Sequence, residues 1–148
     1  MDTLLLTPHF FLILEVKNIA GTLYFDQEFN QLLRTIHEKE EAFSDPVVQL
    51  NRQQCQLEIW LQKFKFPLAP VEGVVIISNS STVIKASPSY KNLSSTVIRP
   101  PVLPSKIASL QQKYSSVIMP KKNINKISRT FDKTRYTTHT RLLISRKI

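Results

Sequence analysis

The sequence predicts an α/β fold in which a mixed sheet is flanked by helices, and three observations support this class. Two apolar runs around a Pro8-His9 break at the start of the chain are typical of a buried β-hairpin. A helix with one apolar face is predicted from Pro46 to about Lys65, and a second apolar run, Val71–Ile77, follows it. A strand, a crossover helix and a further strand in this order predict right-handed packing onto one sheet.

The N-terminal hairpin is predicted to have a definite register. If the turn at Pro8-His9 is symmetric, Leu5 lies opposite Leu12 and Asp2 lies opposite Glu15. Directly opposed residues in an antiparallel pair have Cβ atoms about 5 Å apart, and like charges at that distance destabilise the pair. The two carboxylates would therefore need a cation between them.

The triplet Glu15-Val16-Lys17 ends the second strand of this hairpin. Period-two alternation puts Lys17 on the same face as Glu15, about 6.6 Å further along the strand. An acid pair with a lysine beside it suits a hard divalent metal ion. The alternative interpretation is that Glu15 and Lys17 only mark the end of a strand at the solvent boundary.

The predicted helix begins after Ser44 or Asp45, either of which can cap it. Its apolar stripe consists of Val47, Leu50, Leu57, Trp60, Leu61 and Phe64. Gln49 and Gln53 lie one turn apart and share a face, and Arg52 projects beside them. Two amides and a guanidinium would then lie on one rim, although a polar solvent face explains the same pattern.

The rest of the chain is predicted to form short strands, loops and two further helices. Strands are predicted over residues 22–25 and 29–36, in an antiparallel meander with the hairpin, then an edge strand over 82–85 and a last strand over 96–98. Residues 37–41 are predicted as a charged loop, residues 105–114 and 120–134 as helices, and residues 136–148 as loosely ordered.

Composition is typical of one globular domain with a sizeable core, because the chain has 148 residues and is 42% hydrophobic. The only cysteine, Cys55, excludes intramolecular disulfides and is predicted to be a buried thiol. His9, His37 and His139 show no metal-ligand spacing. The apolar run over residues 4–16 is too short to span a membrane and lacks the basic start of a signal peptide, so we expect a cytoplasmic protein without membrane contact.

The net charge of +9 is unevenly distributed. Residues 1–75 contain ten acids and six bases, a charge of −4, whereas residues 76–148 contain one acid and fourteen bases, a charge of +13. A basic half of this size predicts a polyanionic partner, with nucleic acid favoured. From this half, Lys85, Lys121 and Lys122 are predicted to contact nucleic acid, although surplus lysine is also common as solubilising charge.

Taken together, the ordered motifs resemble a known enzyme family. Asp2, Glu15-Val16-Lys17, the helix with Gln49-x-x-x-Gln53, and Val71-Glu72-Gly73-Val74-Val75 resemble the PD-(D/E)XK nuclease core and, more closely, the nuclease-related domain, NERD. The resemblance covers roughly residues 1–114 and implies a restriction-endonuclease-like core. Residues 115–148 are then a basic C-terminal extension that is partly helical or disordered.

The resemblance implies hydrolysis of DNA phosphodiester bonds with Mg²⁺ or Mn²⁺. Asp2, Glu15 and the carbonyl of Val16 match the metal ligands. Lys17 matches the lysine that positions the attacking water and stabilises charge on the phosphate. Two further matches are Gln49 and Gln53, which orient water or the phosphate backbone, with Arg52 as a phosphate contact.

The sequence departs from the family pattern at its start. Family members usually have a helix and a strand before this Asp, and the helix carries a Gly-x-x-Gly-Glu motif whose acid joins the site. In this sequence Met1 stands directly before Asp2. We therefore expect a truncated core that lacks one acid and whose first strand is an unprotected edge.

Two functions from different classes follow. The first is a metal-dependent nuclease that acts on DNA. The second is a non-catalytic module that keeps the fold and binds nucleic acid, or supports assembly, through the basic half. Cleavage that depends on Glu15 and Lys17 distinguishes the first from the second.

Overall fold

The computed structural model describes residues 3–134 and 141–144, which form a mixed α/β structure. Its strands are β1 (Thr3–Leu6), β2 (Phe11–Lys17), β3 (Thr22–Asp26), β4 (Gln31–Ile36), β5 (Lys39–Ser44), β6 (Val71–Ile77), β7 (Val83–Ala86), β8 (Val97–Ile98) and β9 (Arg141–Ile144). Its α-helices are α1 (Pro46–Lys63), α2 (Leu93–Thr96), α3 (Leu103–Lys113) and α4 (Lys121–Thr134). Within the described ranges there are two sheets, ordered β8-β6-β2-β1-β9 and β5-β4-β3-β7. The predicted class, a mixed sheet flanked by helices, is confirmed.

The hairpin of β1 and β2 has the predicted register, since Leu5 pairs with Leu12. Thr7 closes the turn, because its hydroxyl donates to the Phe10 carbonyl at 2.6 Å and accepts from the Phe10 amide at 2.9 Å. Asp2, which the same register would place opposite Glu15, lies outside the described residues.

Strand β1 is not a sheet edge, and the prediction that it would be unprotected is wrong. Strand β9 pairs with it in parallel, with Thr3 opposite Arg141 and Leu6 opposite Ile144. Four residues of the stretch predicted to be loosely ordered therefore form a strand, and residues 136–140 and 145–148 lie outside the described residues. The backbone groups of β1 are satisfied on both sides, as a strand inside a sheet requires.

The predicted helix forms as α1, and Asp45 is its N-cap. The Asp45 carboxylate accepts from the Val47 amide at 2.8 Å, and Pro46 occupies the first helical position. Five residues of the predicted stripe are buried and Phe64 is half-buried. The helix packs tightly on β6, because a Cβ built at Gly73 would lie 2.7 Å from the Leu50 side chain.

The predicted four-stranded meander is wrong, because the hairpin and β3 belong to different sheets. Gly21 redirects the chain after β2 with a φ of +98°, a conformation that glycine adopts readily. The predicted loop over residues 37–41 is also wrong beyond its first two residues. His37 and Glu38 both have positive φ and form a two-residue hairpin turn, and β5 begins at Lys39.

The central strands β2 and β6 pair in parallel and bury both faces. One face of β2, with Phe11 and Ile13, packs in a core shared with α1, the second sheet and α4. The other face, with Leu12 and Leu14, packs against α3 through Leu110.

Helix α4 lies in the segment predicted as a C-terminal extension, and it packs in the main core. Its apolar face, Ile124, Ile127 and Phe131, is buried there. The Met119 amide donates to the Pro8 carbonyl at 2.9 Å, which fixes the start of this segment at the hairpin turn. Across the described ranges, no helix has both the length and the apolar character needed to cross a bilayer.

Candidate active site

One face of β2 extends from the core, at the start of the strand, to the candidate site at its C-terminal end. Phe11, Ile13, Glu15 and Lys17 share this face by period-two alternation, and the first two are fully buried in the core. Glu15 is only 6% exposed, whereas Lys17 is half-buried. A carboxylate so far removed from water needs compensating donors or cations close to it.

A cavity of about 230 Å³ opens where β2 ends and α1 begins. It is lined by Lys17, Ile19, Leu32, Phe43, Ser44, Pro46 and Gln49. Lys17 and Gln49, which were both predicted as site residues, therefore meet in one space. The cavity combines an ammonium, an amide and a hydroxyl with four apolar residues.

The helix side of the cavity is fixed by the cap of α1. Besides its bond to the Val47 amide, the Asp45 carboxylate accepts a hydrogen bond of 2.8 Å from the Tyr90 hydroxyl. Burial, then the hydrogen bond to Asp45 and its negative charge, raise the pKa of Tyr90 well above its ordinary value. The residues on either side of Asp45, Ser44 and Pro46, line the cavity, so this cap holds one of its walls.

The strand side is fixed by backbone contacts at the end of β2. The Ser78 amide donates to the Lys17 carbonyl at 3.1 Å. The Thr82 hydroxyl donates to the Ile19 carbonyl, and Arg99 donates to the Thr82 carbonyl and, at 2.9 Å, to the Asn79 carbonyl. Lys17 and Ile19 therefore present their side chains from an anchored backbone.

The other predicted residues do not share this cavity. Gln53 is half-buried one turn further along α1, and Arg52 is exposed on the same helix. Lys85 lines a second cavity of about 310 Å³ beside β7, with Ile84, Ala86, Leu93, Ser94 and Val97. The Val16 side chain, 46% exposed, alternates to the opposite face of β2 from Glu15.

Lys121 and Lys122 lie far from Lys17. They follow Met119, which is bonded to Pro8 at the hairpin turn. Lys17 is at the other end of the seven-residue β2, about 20 Å away along the strand. The predicted basic contacts therefore cannot act on the same phosphate as Lys17.

Glu15 is the predicted acidic residue of this site that lies within the described residues. No group of three His, Cys, Asp or Glu residues that could hold a metal ion occurs in residues 3–134 and 141–144. The second predicted acid, Asp2, is outside these ranges. Glu15 is therefore the carboxylate around which a metal site would be built.

Sequence reasoning missed the apolar wall of the cavity, and Phe43 above all. Phe43 lies in β5, next to the stretch predicted as a loop, and is 43% exposed. It pairs with Leu32 of β4, which also lines the cavity. The alternation in β4 was a local signal for a strand, but nothing in the sequence connected β5 with Lys17.

Cys55 is exposed on α1, so the prediction of a buried thiol is wrong. Cys55 is close in sequence to the apolar stripe. It lies two positions before the buried Leu57, and therefore on the side of the helix that faces solvent. Its thiol is free and is not part of a disulfide.

Comparison with known proteins identifies the family of the chain. A profile of the nuclease-related domain family, NERD, matches residues 1–78, which is more than half of the chain. The matched segment includes Lys17, Gln49 and all of β6. No match was found among the curated proteins or among the solved structures. The chain belongs to the nuclease-related domain family.

Proposed function

We propose that this protein hydrolyses DNA phosphodiester bonds with the help of Mg²⁺ or Mn²⁺. The observation that carries the proposal is the meeting of Lys17 and Gln49 in one cavity, at the end of the strand that bears Glu15. Family membership supports nucleic acid as the partner.

Carboxylate and carbonyl oxygens, the donors that the resemblance assigns to this site, are ligands that a magnesium ion takes. Mg²⁺ is held by one or two carboxylates, and its remaining positions are filled by waters and substrate phosphates. Glu15, the carbonyl of Val16 and Asp2 would supply the protein ligands. When bound, such an ion lowers the pKa of a water molecule and neutralises charge on the phosphate.

Lys17 acts on the phosphate as a compact positive charge with three donors. Its half-buried position weakens screening by water, so its attraction to a phosphate oxygen is stronger than that of an exposed lysine. Gln49 has both a donor and an acceptor and orients a water molecule or a backbone oxygen across the cavity. Gln53 and Arg52, further along α1, act on the DNA backbone next to the phosphate that Lys17 binds.

The test is cleavage of single-stranded and duplex DNA in Mg²⁺ by the full chain and by Glu15→Gln and Lys17→Met. Loss of one preorganised group that stabilises transition-state charge lowers the rate by about 10²–10³-fold. The matched controls are Glu58→Gln on the exposed side of α1 and Lys91→Met on an exposed turn, which should keep the wild-type rate. Equal cleavage by all five proteins would refute the proposal.

A second candidate function, nucleic-acid binding without cleavage, is supported by α4. Lys122, Lys126, Arg129 and Lys133 recur at spacings of four, three and four residues, so they form one stripe along the helix. All four are exposed, and the opposite face of α4 is buried in the core. We call these four residues the basic stripe.

Salt dependence tests the basic stripe. Each phosphate contact contributes about −0.9 to the slope of log affinity against log salt for duplex DNA. The double variant Lys126→Ala/Arg129→Ala should lower the magnitude of the slope by about 2, and the exposed Lys91→Ala should not change it. Binding with this slope but without cleavage would favour the second candidate over the first.

A further inference from the structure

The residues that line the cavity beside Lys17 are of two chemical kinds. Lys17, Ser44 and Gln49 are polar and suit a phosphate, whereas Ile19, Leu32, Phe43 and Pro46 are apolar, and we call these four the apolar side. A phosphodiester alone leaves the apolar side unused. A nucleotide, with a phosphate at one end and a flat apolar base at the other, matches both.

Phe43 is the aromatic residue on the apolar side, and its neighbours hold its ring in place. Leu32 is its cross-strand partner, and the Arg34 guanidinium lies 5.9 Å from the ring centroid. Arg34 is itself paired with Glu41 at 3.6 Å. The ring is nevertheless 43% exposed, so it is both supported and accessible.

Stacking on Phe43 depends on the state of the base. A base inside a duplex is already stacked between its neighbours and must leave the stack to reach a pocket wall. A base that is already unpaired has no such cost.

We propose that Phe43 stacks on an unpaired base next to the phosphodiester held by Lys17, so that the protein selects single-stranded or locally unpaired nucleic acid over intact duplex. The inference rests on the proposed function for the position of the phosphodiester. It names the substrate class that the active site accepts.

The experiment measures binding in EDTA, which prevents cleavage, at one fixed salt concentration. The probes are a single strand, its matched duplex, and that duplex with one bulged 2-aminopurine, whose fluorescence reports stacking. The proteins are the full-length wild type, Phe43→Leu, Phe43→Tyr and Phe29→Leu. Phe29 is 74% exposed in the turn between β3 and β4 and is not a cavity residue, so its variant is the matched control.

We expect the wild type to prefer the single strand and the bulged duplex. Phe43→Leu should weaken both by about 5- to 150-fold, the effect of removing one base–aromatic stack, and abolish the 2-aminopurine response. Phe43→Tyr keeps the ring and should keep both properties, as should Phe29→Leu. Equal affinity of the wild type for duplex and single strand, or wild-type binding by Phe43→Leu, would overturn the inference.

A parallel cleavage assay in Mg²⁺ separates this inference from the proposed function. If the Phe43 effects on binding are found but no protein cleaves, hydrolysis is refuted and base stacking stands. If Lys17→Met abolishes cleavage while Phe43→Leu retains the wild-type preference, hydrolysis stands and base stacking is refuted.

Discussion

Lys17 at the end of β2 and Gln49 in the first turns of α1 line the same cavity. Strands β3, β4 and β5 lie between these two residues in sequence, so their proximity depends on the fold. The Asp45 cap positions the helix end, and the bond from Ser78 positions the strand end. These two contacts hold the end of the strand and the start of the helix at one cavity.

The close packing of α1 on β6 should make Gly73 sensitive to any side chain. A Cβ at this position would lie 2.7 Å from Cγ and Cδ1 of Leu50, which is 1% exposed and cannot move into solvent. We expect Gly73→Ala to lower the free energy of unfolding by about 1–3 kcal/mol, as overpacking of a core does. Urea unfolding followed by circular dichroism measures it.

The control for Gly73 is the double variant with Leu50→Ala. This second substitution removes the atoms that the new methyl group would meet, so the two losses should not add. If the double variant loses the full sum of the two single losses, steric conflict with Leu50 is not the cause.

Tyr90 should make stability fall at alkaline pH. A tyrosine has an ordinary pKa of about 10, which applies in the unfolded chain, whereas burial and the bond to Asp45 raise the pKa of Tyr90 in the folded protein. Above that unfolded value the unfolded state releases the proton first, so the folded state binds more protons and the free energy of unfolding decreases as pH rises. Urea unfolding between about pH 9 and pH 11 measures the slope.

Tyr90→Phe supplies the comparison for this pH dependence. The variant lacks the hydroxyl, so its alkaline slope should be shallower than that of the wild type. Its stability at neutral pH should also be lower, by about 0.5–1.5 kcal/mol, since Asp45 loses a hydrogen-bond donor. An unchanged alkaline slope would show that Tyr90 does not carry the effect.

Strand β9 should protect β1 from pairing with other chains. A variant that ends at residue 140 leaves β1 as a sheet edge with unpaired backbone groups, and such edges promote association. We expect lower stability and concentration-dependent self-association, measured by sedimentation velocity. A variant that ends at Ile144 keeps β9 and is the matched control; association to the same extent in both would contradict the assigned role of β9.

Much of the first sheet could be predicted because its signals are local. The turn at Pro8-His9 and the apolar runs on either side of it predicted the pairing of Leu5 with Leu12. Strand β5 could not be predicted this way, since all six of its residues are exposed and three are charged. Its turn, His37-Glu38, also lacks the Asn or Gly that usually marks positive φ.

The candidate site was predictable only where residue types carry the chemistry. Lys17 and Gln49 were identifiable because ammonium and amide groups at these positions match a nuclease motif. Phe43 was not, because a single phenylalanine after charged residues gives no sign of its neighbours. Its place on the cavity wall depends on pairing between β4 and β5 and on where that sheet meets α1.

A double-mutant cycle on DNA cleavage with Lys17→Met and Gln49→Met tests most directly whether the two residues form one active site. Groups that act together in one site have strongly non-additive effects on the rate. We expect each single variant to lose activity, and the double variant to cleave nearly as fast as Lys17→Met alone. Rate losses that simply multiply, or full activity in either single variant, would contradict the claim that Lys17 and Gln49 form one active site.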